Sequence, residues 1–488
     1  MPLQLTAMTL RGVGSYIHGS RLEVRPLTIL SGVNGAGKST WFKSLQLLRR
    51  SVEKRLLPFA FDTDDSNPYD VRFMNYSLYC SNVSTDLRTG TSEETDFGPP
   101  ACIGLEFVAS EDLRLGEPVA GVPVRLNPIS QFLSGGTCPK GTKLKIKIAH
   151  PTGDYLSWTG QEIAGMHHLV ELSINGATFS YQKPHESDML NKDQRHYRQF
   201  QTSPLMAELS EGDLRQLVAT RIRELMQVFF EGYFHISAVR SLPDMENVKD
   251  SPNLSDAPQS RSVGPDGQRT FDVHFWNTVK RQPYHSADFP DVNQVKGVDQ
   301  FVHDSLFNLL GTSVEPDELV EEGELNRFTN DYLIGPQYPR QFSSGFHQLL
   351  PIIVQSALMD PGETLSIENP EVHLHPDLQL KVSEFLLQQS RTGRQILIET
   401  HSDLMIRRIV RAMLAEEDGL SQQHVSLNFS SPRKGDHGTG SVLHQFGVDS
   451  SGRIEWPDGF MDASINESQR MMDVMYGRRS SPHTEGNE

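Results

Sequence analysis

The sequence contains few cysteines and no long hydrophobic run. Its three cysteines form no C-x-x-C pair, which argues against a zinc site and a disulfide framework and suits a reducing compartment; they are Cys80, Cys102 and Cys138. No run approaches the roughly 18 apolar residues of a membrane span, and no basic stretch followed by an apolar one opens the chain. We therefore expect a cytoplasmic protein with no signal peptide, membrane span or membrane partner.

The chain also lacks a positive charge balance. Its 45 Lys and Arg residues against 62 Asp and Glu residues give a formal net charge of −17, so the surface as a whole repels nucleic acid. DNA binding would need a local basic patch. One candidate is the strand face shared by Lys143, Lys145 and Lys147, for which a simple solvated face is the alternative. At 488 residues the chain exceeds one ordinary core, which predicts two or three lobes.

The most informative motif is a complete G-x-x-x-x-G-K-S sequence at Gly32–Ser39. It follows an apolar strand pattern at Leu27–Leu30 and precedes a helical pattern over Ser39–Arg50. Such a loop offers backbone N–H groups and a helix N-terminus to phosphates, a lysine to the β- and γ-phosphates and a hydroxyl to Mg²⁺. The sequence therefore predicts ATP and Mg²⁺ as cofactors. The predicted binding residues of this region are Arg11, Asn34, Gly35, Ala36, Gly37, Lys38, Ser39 and Thr40, with Ser39 also a metal ligand.

Three later motifs complete a nucleotide site. Ser343, Ser344 and Gly345 open a helical pattern that runs to Met359, and they offer a hydroxyl and bare N–H groups to an anion. An apolar strand pattern at Thr364–Ile367 is then followed by Glu368 and Glu371. One of these carboxylates can hold Mg²⁺, for which we predict Glu368, and the other can polarise the attacking water.

The fourth motif is a second buried strand pattern, Gln395–Glu399, that ends in Thr400-His401-Ser402. A histidine at this point can hydrogen-bond the γ-phosphate and report its hydrolysis. We therefore predict His401, Glu368 and Glu371 as the catalytic residues.

Together the motifs resemble the ATPase heads of ABC/SMC type. Phe342–Gln348 resembles the L-S-S-G-x-x-Q signature of those heads, and Ile367–Pro376 is similar to the I-E-[EN]-P-E-x-H-L-H-P block of OLD-like bacterial ATPases. Gly452–Asp462 resembles the G-x-I-x-x-W-P-x-G-F-F-D block of predicted bacterial ATPases that end in a small domain of unknown function. His235–Arg240 and Val263–Gly267 also look like internal motifs of that group.

The resemblance implies a head that dimerises head-to-tail, with each ATP held between the phosphate loop of one subunit and Ser343–Gly345 of the other. One departure concerns the acidic strand, where those heads carry Asp-Glu and this chain carries Glu368-Asn369. An amide cannot take a proton from water. Either Glu371 or Glu368 is then the base, or hydrolysis is slow and the protein is mainly an ATP-gated clamp.

The expected fold class is α/β: an ABC-type head, with a mixed sheet, flanking helices and an antiparallel β subdomain, carrying a compact inserted α+β lobe. No heptad pattern is sustained, so we expect no coiled coil. The predicted division is residues 1–58 for the first half of the head and 59–330 for the insertion, with a long loop at 243–270. Residues 331–417 form the second half of the head, and 418–488 a small C-terminal domain with a frayed tail.

Three functions fit these motifs. The first is an ATPase that forms homodimers or higher homo-oligomers around ATP and acts on DNA or on a nuclease or effector partner, in anti-phage defence or DNA repair. The second is a scaffold in which ATP joins subunits with little or no hydrolysis. The third, a transporter-type ABC subunit, is disfavoured by the very long segment between Lys38 and Ser343 and by the Glu-Asn pair.

Overall fold

The computed structural model describes part of the chain. The described residues are 3–54, 102–110, 143–149, 155–163, 166–174, 177–180, 222–240, 261–270, 273–274, 297–310, 344–415, 420, 423–435, 438–448, 453–457, 460 and 462–479. Ser343 of the predicted signature lies outside them, as do residues 243–260 of the predicted long loop.

The described strands number thirteen. They are β1 Leu3–Arg11, β2 Ser20–Glu23, β3 Leu27–Gly32, β4 Cys102–Ala109, β5 Lys143–Ala149, β6 Tyr155–Ile163, β7 Met166–Ile174, β8 Ala177–Ser180, β9 Tyr233–Ile236, β10 Thr364–Glu368, β11 Gln395–Glu399, β12 Val425–Gly435 and β13 Gly438–Phe446. The labelled helices are α1 Lys38–Glu53, α2 Val298–Leu310, α3 Ser344–Leu358, α4 Pro376–Arg391, α5 Asp403–Leu414 and α6 Asp462–Arg479. Residues 222–231 are also helical.

A six-stranded sheet organises the molecule, in the order β13-β12-β3-β11-β10-β9. The five strands from β12 to β9 are parallel, and β13 is antiparallel at one edge. Because parallel strands end on the same side, this arrangement brings the carboxyl ends of β3, β11 and β10 together. The predicted acidic strand end at Glu368 and the strand end before His401 therefore lie on the same side of the sheet as the phosphate loop.

Strands β3, β9, β10 and β11 of this sheet are buried on both faces, as their largely apolar sequences require. Ile29 and Ile398 face a core with helices α2 to α5, whereas Leu30 and Leu397 face a second core. The second core contains α1, residues 222–231 and the buried faces of β1, β4 and β5.

The second sheet runs β2-β1-β4-β5-β6-β7-β8 and is antiparallel except for the β4–β5 pair. Leu144, Ile146 and Ile148 of β5 are buried, and Lys145 and Lys147 are exposed, as the alternating sequence predicts. The α/β class with a mixed sheet, flanking helices and an antiparallel β subdomain is thus confirmed. The domain boundaries stay a prediction, although β9, from the predicted insertion, pairs with β10 in the central sheet.

Among the described helices none exceeds the 18 residues of α6, and none is long and apolar enough to cross a membrane.

Candidate nucleotide site

The phosphate loop joins β3 to α1, as the motif predicts. Gly35 and Gly37 adopt φ values of 79° and 80°, a left-handed conformation that costs glycine little. Nothing lies within 4 Å of a Cβ added at Gly35, so the backbone here is open to a ligand. Asn34 is exposed beside it, and Gly37 is the N-cap of α1. These features suit a loop that presents N–H groups to phosphate oxygens.

The loop is braced by residues that the sequence motifs do not include. The hydroxyl of Tyr16 lies 2.9 Å from that of Ser430 in β12, and Ser430 donates to the carbonyl of Ala36 at 2.5 Å. A Cβ at Gly37 would lie 2.0 Å from the Ser15 hydroxyl oxygen, so the turn after β1 packs directly on the loop. Burial raises the pKa of Tyr16 to about 12, which keeps its proton on the phenol.

The predicted binding residues Arg11 and Thr40 both lie near the turn that follows β1. Arg11 ends β1, and its aliphatic carbons would lie 3.6 Å from a Cβ at Gly19. Thr40 donates its backbone N–H to the Gly37 carbonyl, and its side chain packs against Gly14. Their predicted contacts with the nucleotide stay a prediction.

Lys38 lies inside the loop with its side chain almost fully buried. Its ammonium donates to the carbonyls of Gly32 and Val33, both at 3.0 Å. Burial lowers its pKa, while the nearby carboxylates of Glu399 and Glu371 raise it. An ammonium confined to the loop and facing two carboxylates is suited to contact terminal phosphates.

Ser39 makes the most telling contact of the site. Its hydroxyl donates to Oε1 of Glu399 at 2.8 Å, which leaves the oxygen lone pairs of Ser39 available to a cation. The register explains why Glu399 reaches Ser39: Glu399 pairs with Leu30 of β3, whereas Glu368 pairs with Glu399 and lies one strand further away. Glu368 as the metal ligand stays a prediction, and Glu399 is the carboxylate in contact with Ser39.

Three carboxylates converge at this sheet edge. Burial raises the pKa of Glu399 to about 7, and the charge of Glu368 adds to the shift. Burial also raises the pKa values of Glu368 and Glu371. Such shifts are typical of clustered acids at functional sites, where like charges disfavour full ionisation.

Glu371 and His401 lie together. The backbone N–H of His401 donates to Oε1 of Glu371 at 2.6 Å, and Oε2 of Glu371 has no hydrogen-bond partner among the described residues. Burial and Lys38 lower the pKa of His401, whose side chain is exposed. His401 is thus neutral at pH 7 and accessible to a ligand at the loop.

Glu368 is held from the opposite side. Its Oε2 accepts from the backbone N–H of Ala238 at 3.3 Å, and its Oε1 lies 3.8 Å from Nε2 of His235. Burial lowers the pKa of His235 to about 3, so this imidazole is neutral. The positive charges of Lys43 and Arg240 partly oppose the effect of burial on the pKa of Glu368.

The oxygen-rich edge fits Mg²⁺. The Ser39 hydroxyl and carboxylate oxygens are the hard ligands that this ion prefers, and it commonly takes only one or two from protein and the rest from phosphates and water. Within the described ranges no group of three or more His, Cys, Asp or Glu residues could hold a metal alone. Ser39 and Glu399 are therefore the residues that would hold the ion, together with a bound phosphate, and Glu368 stays the predicted further ligand.

The predicted signature lies elsewhere. Helix α3 begins at Ser344, which is exposed, while Gly345 is buried. The helix packs against β9, at the far edge of the sheet from β12. The structure therefore brings together Lys38, Ser39, Glu371 and His401, whereas Ser344 and Gly345 lie on the helix that packs against β9.

Sequence reasoning missed three contributors to this site: Glu399, Tyr16 and Ser430. Glu399 had a detectable signal, because it is an acidic residue at the end of a buried strand, like Glu368. Tyr16 and Ser430 had none, since their contact joins residues 414 positions apart.

The family described as "AAA domain, putative AbiEii toxin, Type IV TA system" matches residues 227–407. This range includes the acidic strand and His401 but not the phosphate loop, and it covers less than half of the chain. No curated protein matches the chain.

Several solved structures show weak similarity. The SMC head domain from Thermotoga maritima is 9% identical with a TM-score of 0.37, and the match covers 90% of this chain and 99% of that chain. The Smc head domain with an extended coiled coil from Pyrococcus furiosus, bound to the C-terminal domain of ScpA, is 9% identical with a TM-score of 0.37; the match covers 97% and 100% of the two chains. An SmcHead bound to the C-winged helix domain of ScpA is 11% identical with a TM-score of 0.37, over 91% and 98%.

The class of the protein therefore rests on its own loop, sheet and acidic edge, which define a P-loop nucleotide-binding protein. The family match supports an AAA-type ATPase within that class.

Proposed function

We propose that the protein is a Mg²⁺-dependent ATP hydrolase of the SMC/OLD-like kind, acting as a cytoplasmic switch. Two copies close around ATP, and the closed state acts on DNA or on a nuclease or effector partner in bacterial anti-phage defence or DNA repair. The observation that carries the proposal is the hydrogen bond from Ser39 to Glu399 at the end of β11, with Lys38 held in the same loop near the charges of Glu399 and Glu371.

The location of the signature supports the need for a second copy. Strand β9, against which α3 packs, is three strands from β3. At about 4.8 Å per strand the separation between these two strands is roughly 14 Å. In the proposed dimer, Ser344 and Gly345 therefore meet a nucleotide held by the phosphate loop of the second copy.

Hydrolysis at this edge needs charge stabilisation and a positioned water. Lys38 and the N-terminus of α1 stabilise negative charge on the terminal phosphate. Bound Mg²⁺ would supply further electrostatic stabilisation of the phosphate oxygens. Glu371 is the carboxylate best placed to orient the attacking water, since its Oε1 is fixed by the His401 N–H and its Oε2 has no partner in the part of the chain that the structure describes.

Lys38→Ala tests the ATPase. We expect ATP turnover to be abolished while the circular dichroism spectrum and unfolding midpoint stay close to those of the native protein. Lys54→Ala, at the other end of α1, is the matched control and should retain turnover. Unchanged turnover in Lys38→Ala would refute the assignment of this loop as the ATP site.

Light scattering tests the ATP-bound dimer. With Glu371→Gln to block turnover, saturating Mg-ATP should convert single molecules to dimers or larger oligomers, and the added Lys38→Ala change should prevent this. Single molecules throughout would refute closure around shared nucleotides.

Asn369 favours the alternative of an ATP-dependent scaffold or sensor, since it follows Glu368 where a second carboxylate would serve as base. Phosphate release separates the two functions. A large loss of release in Glu371→Gln relative to the native chain supports the hydrolase, whereas equal and negligible release from both supports the scaffold.

The defence role draws on the matched family, whose description names a putative toxin of a type IV toxin–antitoxin system. Exposed Lys145 and Lys147 on β5 are the candidate DNA contacts. Each phosphate contact removed should lower the salt dependence of DNA binding by about one unit of slope. Lys145→Gln with Lys147→Gln should therefore weaken DNA binding; unaltered binding would favour an effector protein as the target.

A further inference from the structure

A buried arginine connects the signature helix to the acidic strand. Arg240 is 7% exposed and follows β9. Its Nη1 donates to Oε1 of Gln348 in α3 at 3.0 Å, and its Nη2 donates to the backbone carbonyl of Glu368 at 2.5 Å. A weaker contact reaches the carbonyl of Asn369. One side chain thus joins the signature helix to the point where β10 ends.

Further contacts join the segment before Arg240, the turn at 263–267 and helix α3. The Ser237 hydroxyl donates to Asp266 at 2.9 Å, which ties the segment before Arg240 to the turn at 263–267. That turn in turn holds α3, because Val263 donates its N–H to Gln355 at 2.9 Å. A Cβ at Gly267 would lie 2.6 Å from Pro351 of α3, so the turn and the helix are in close contact.

The chemistry of arginine suits this connection. A guanidinium presents several N–H donors in a rigid planar fork, so it can bind a side-chain amide and a backbone carbonyl at once, as an ammonium on a flexible stem cannot. Burial lowers the pKa of Arg240 to about 10, and the charges of Glu371 and Glu368 oppose that shift, so Arg240 stays protonated at pH 7.

The backbone it holds is under constraint. Asn369 has a φ of 45°, which is uncommon outside glycine, and its N–H donates to the carbonyl of Glu399 at 2.7 Å. Arg240 therefore binds the backbone carbonyls of Glu368 and Asn369. A movement of the Glu368 carboxylate on nucleotide binding would shift this same stretch of backbone.

We propose that Arg240 is a positioning residue that couples nucleotide binding at the acidic edge to the placement of the signature helix α3. A shift of the Glu368–Asn369 backbone moves the guanidinium, and through Gln348 it moves the first turns of α3 that start at Ser344. The inference rests on the proposed function, since it requires a nucleotide at the phosphate loop. It adds the contacts through which a nucleotide at that loop would change the position of the signature helix of the same subunit.

Amide hydrogen exchange tests the coupling within a single chain. In the native protein, Mg-ATP should protect residues 32–40 and should also change exchange at 344–350. In Arg240→Lys the protection at 32–40 should remain, and the response at 344–350 should be lost. Should Arg240→Lys fail to fold, Gln348→Met removes the same contact from the other side and should give the same result.

Gln355→Met is the matched control. It alters the same residue type on the same buried helix and removes the Val263 contact, but it leaves the Arg240–Gln348 pair intact. The response at 344–350 should therefore persist in Gln355→Met. If the response at 344–350 were lost in both Gln348→Met and Gln355→Met, Arg240 would have only a general structural role, and the proposal would be overturned.

ATP-driven association provides the second measurement. Allosteric couplings typically change affinity by about 5- to 150-fold. We therefore expect Gln348→Met to weaken Mg-ATP-dependent dimerisation by roughly ten-fold or more, with nucleotide affinity of the single chain unchanged. Equal dimerisation in Gln348→Met and the native chain would overturn the coupling.

The two proposals fail in different ways. No protection of 32–40 by Mg-ATP in the native chain would refute the proposed function and the coupling with it. Protection of 32–40 without any response at 344–350 in the native chain would refute the coupling alone.

Discussion

Replacing Glu399 by Gln should have opposite effects on stability and on Mg-ATP binding. Glu399 is 4% exposed, accepts the Ser39 hydroxyl at 2.8 Å and lies close to two other carboxylates. Glutamine has nearly the same shape and keeps an oxygen that can accept from Ser39. The change therefore removes the charge and leaves the packing.

The stability effect follows from the raised pKa. Burial and Glu368 raise the pKa of Glu399 from 4.5 to about 7. Between these values the folded chain holds a proton that the unfolded chain has lost, so the free energy of unfolding falls as pH rises through this window. At about 1.4 kcal/mol per unit the penalty above pH 7 is on the order of 3 kcal/mol. Glu399→Gln should remove that penalty.

The binding effect has the opposite sign. Removing a partner that orients a metal ligand typically costs about 10- to 100-fold in metal affinity or activity. Glu399 accepts the Ser39 hydroxyl and supplies negative charge next to the cation. We therefore expect Glu399→Gln to raise the Mg²⁺ concentration needed for half-maximal ATP turnover by a factor of that size.

Two measurements test this prediction. Urea unfolding without nucleotide should show Glu399→Gln to be more stable than the native chain at pH 8 and similar to it at pH 4.5. A Mg²⁺ titration of ATP turnover should show that Glu399→Gln needs a higher Mg²⁺ concentration than the native chain. Glu363→Gln is the control: this carboxylate is also buried, pairs with Arg261 away from the loop, and should leave the Mg²⁺ dependence unaltered. A less stable Glu399→Gln at pH 8, or one with native Mg²⁺ dependence, would refute the reasoning.

Three further substitutions probe the loop and the signature helix. Gly32→Ala should destabilise the chain by roughly 1–3 kcal/mol, since Gly32 has a φ of 144° and a Cβ would lie 2.1 Å from the Ser430 carbonyl oxygen; thermal unfolding measures this. Tyr16→Phe removes the Ser430 contact and should cost about 1 kcal/mol of unfolding free energy in urea, with weaker ATP binding. Gly267→Ala should clash with Pro351 and raise amide exchange in α3, whereas native exchange there would contradict the close packing of the turn on that helix.

Local patterns predicted most of the elements that build the site. Strand β11 was predicted at Gln395–Glu399 and is found there, and the strand pattern ending at Ile367 extends by one residue to Glu368. These predictions succeed because buried parallel strands are short apolar runs with clear limits. Strands β12 and β13 were not predicted, since β12 mixes Ser and Asn with its apolar residues and its burial depends on the neighbouring β3.

The sequence by itself determined the ligand chemistry of this protein: a lysine and a serine at fixed positions in a glycine loop, with acidic residues at the ends of later apolar strands. The tertiary structure alone decided which acid meets Ser39. Strand order sets that distance, and β11 lies between β3 and β10, so Glu399 rather than Glu368 is the neighbour. It also decided that Arg240 joins the signature helix to the acidic strand, because that contact spans 108 residues of chain and no local pattern encodes it.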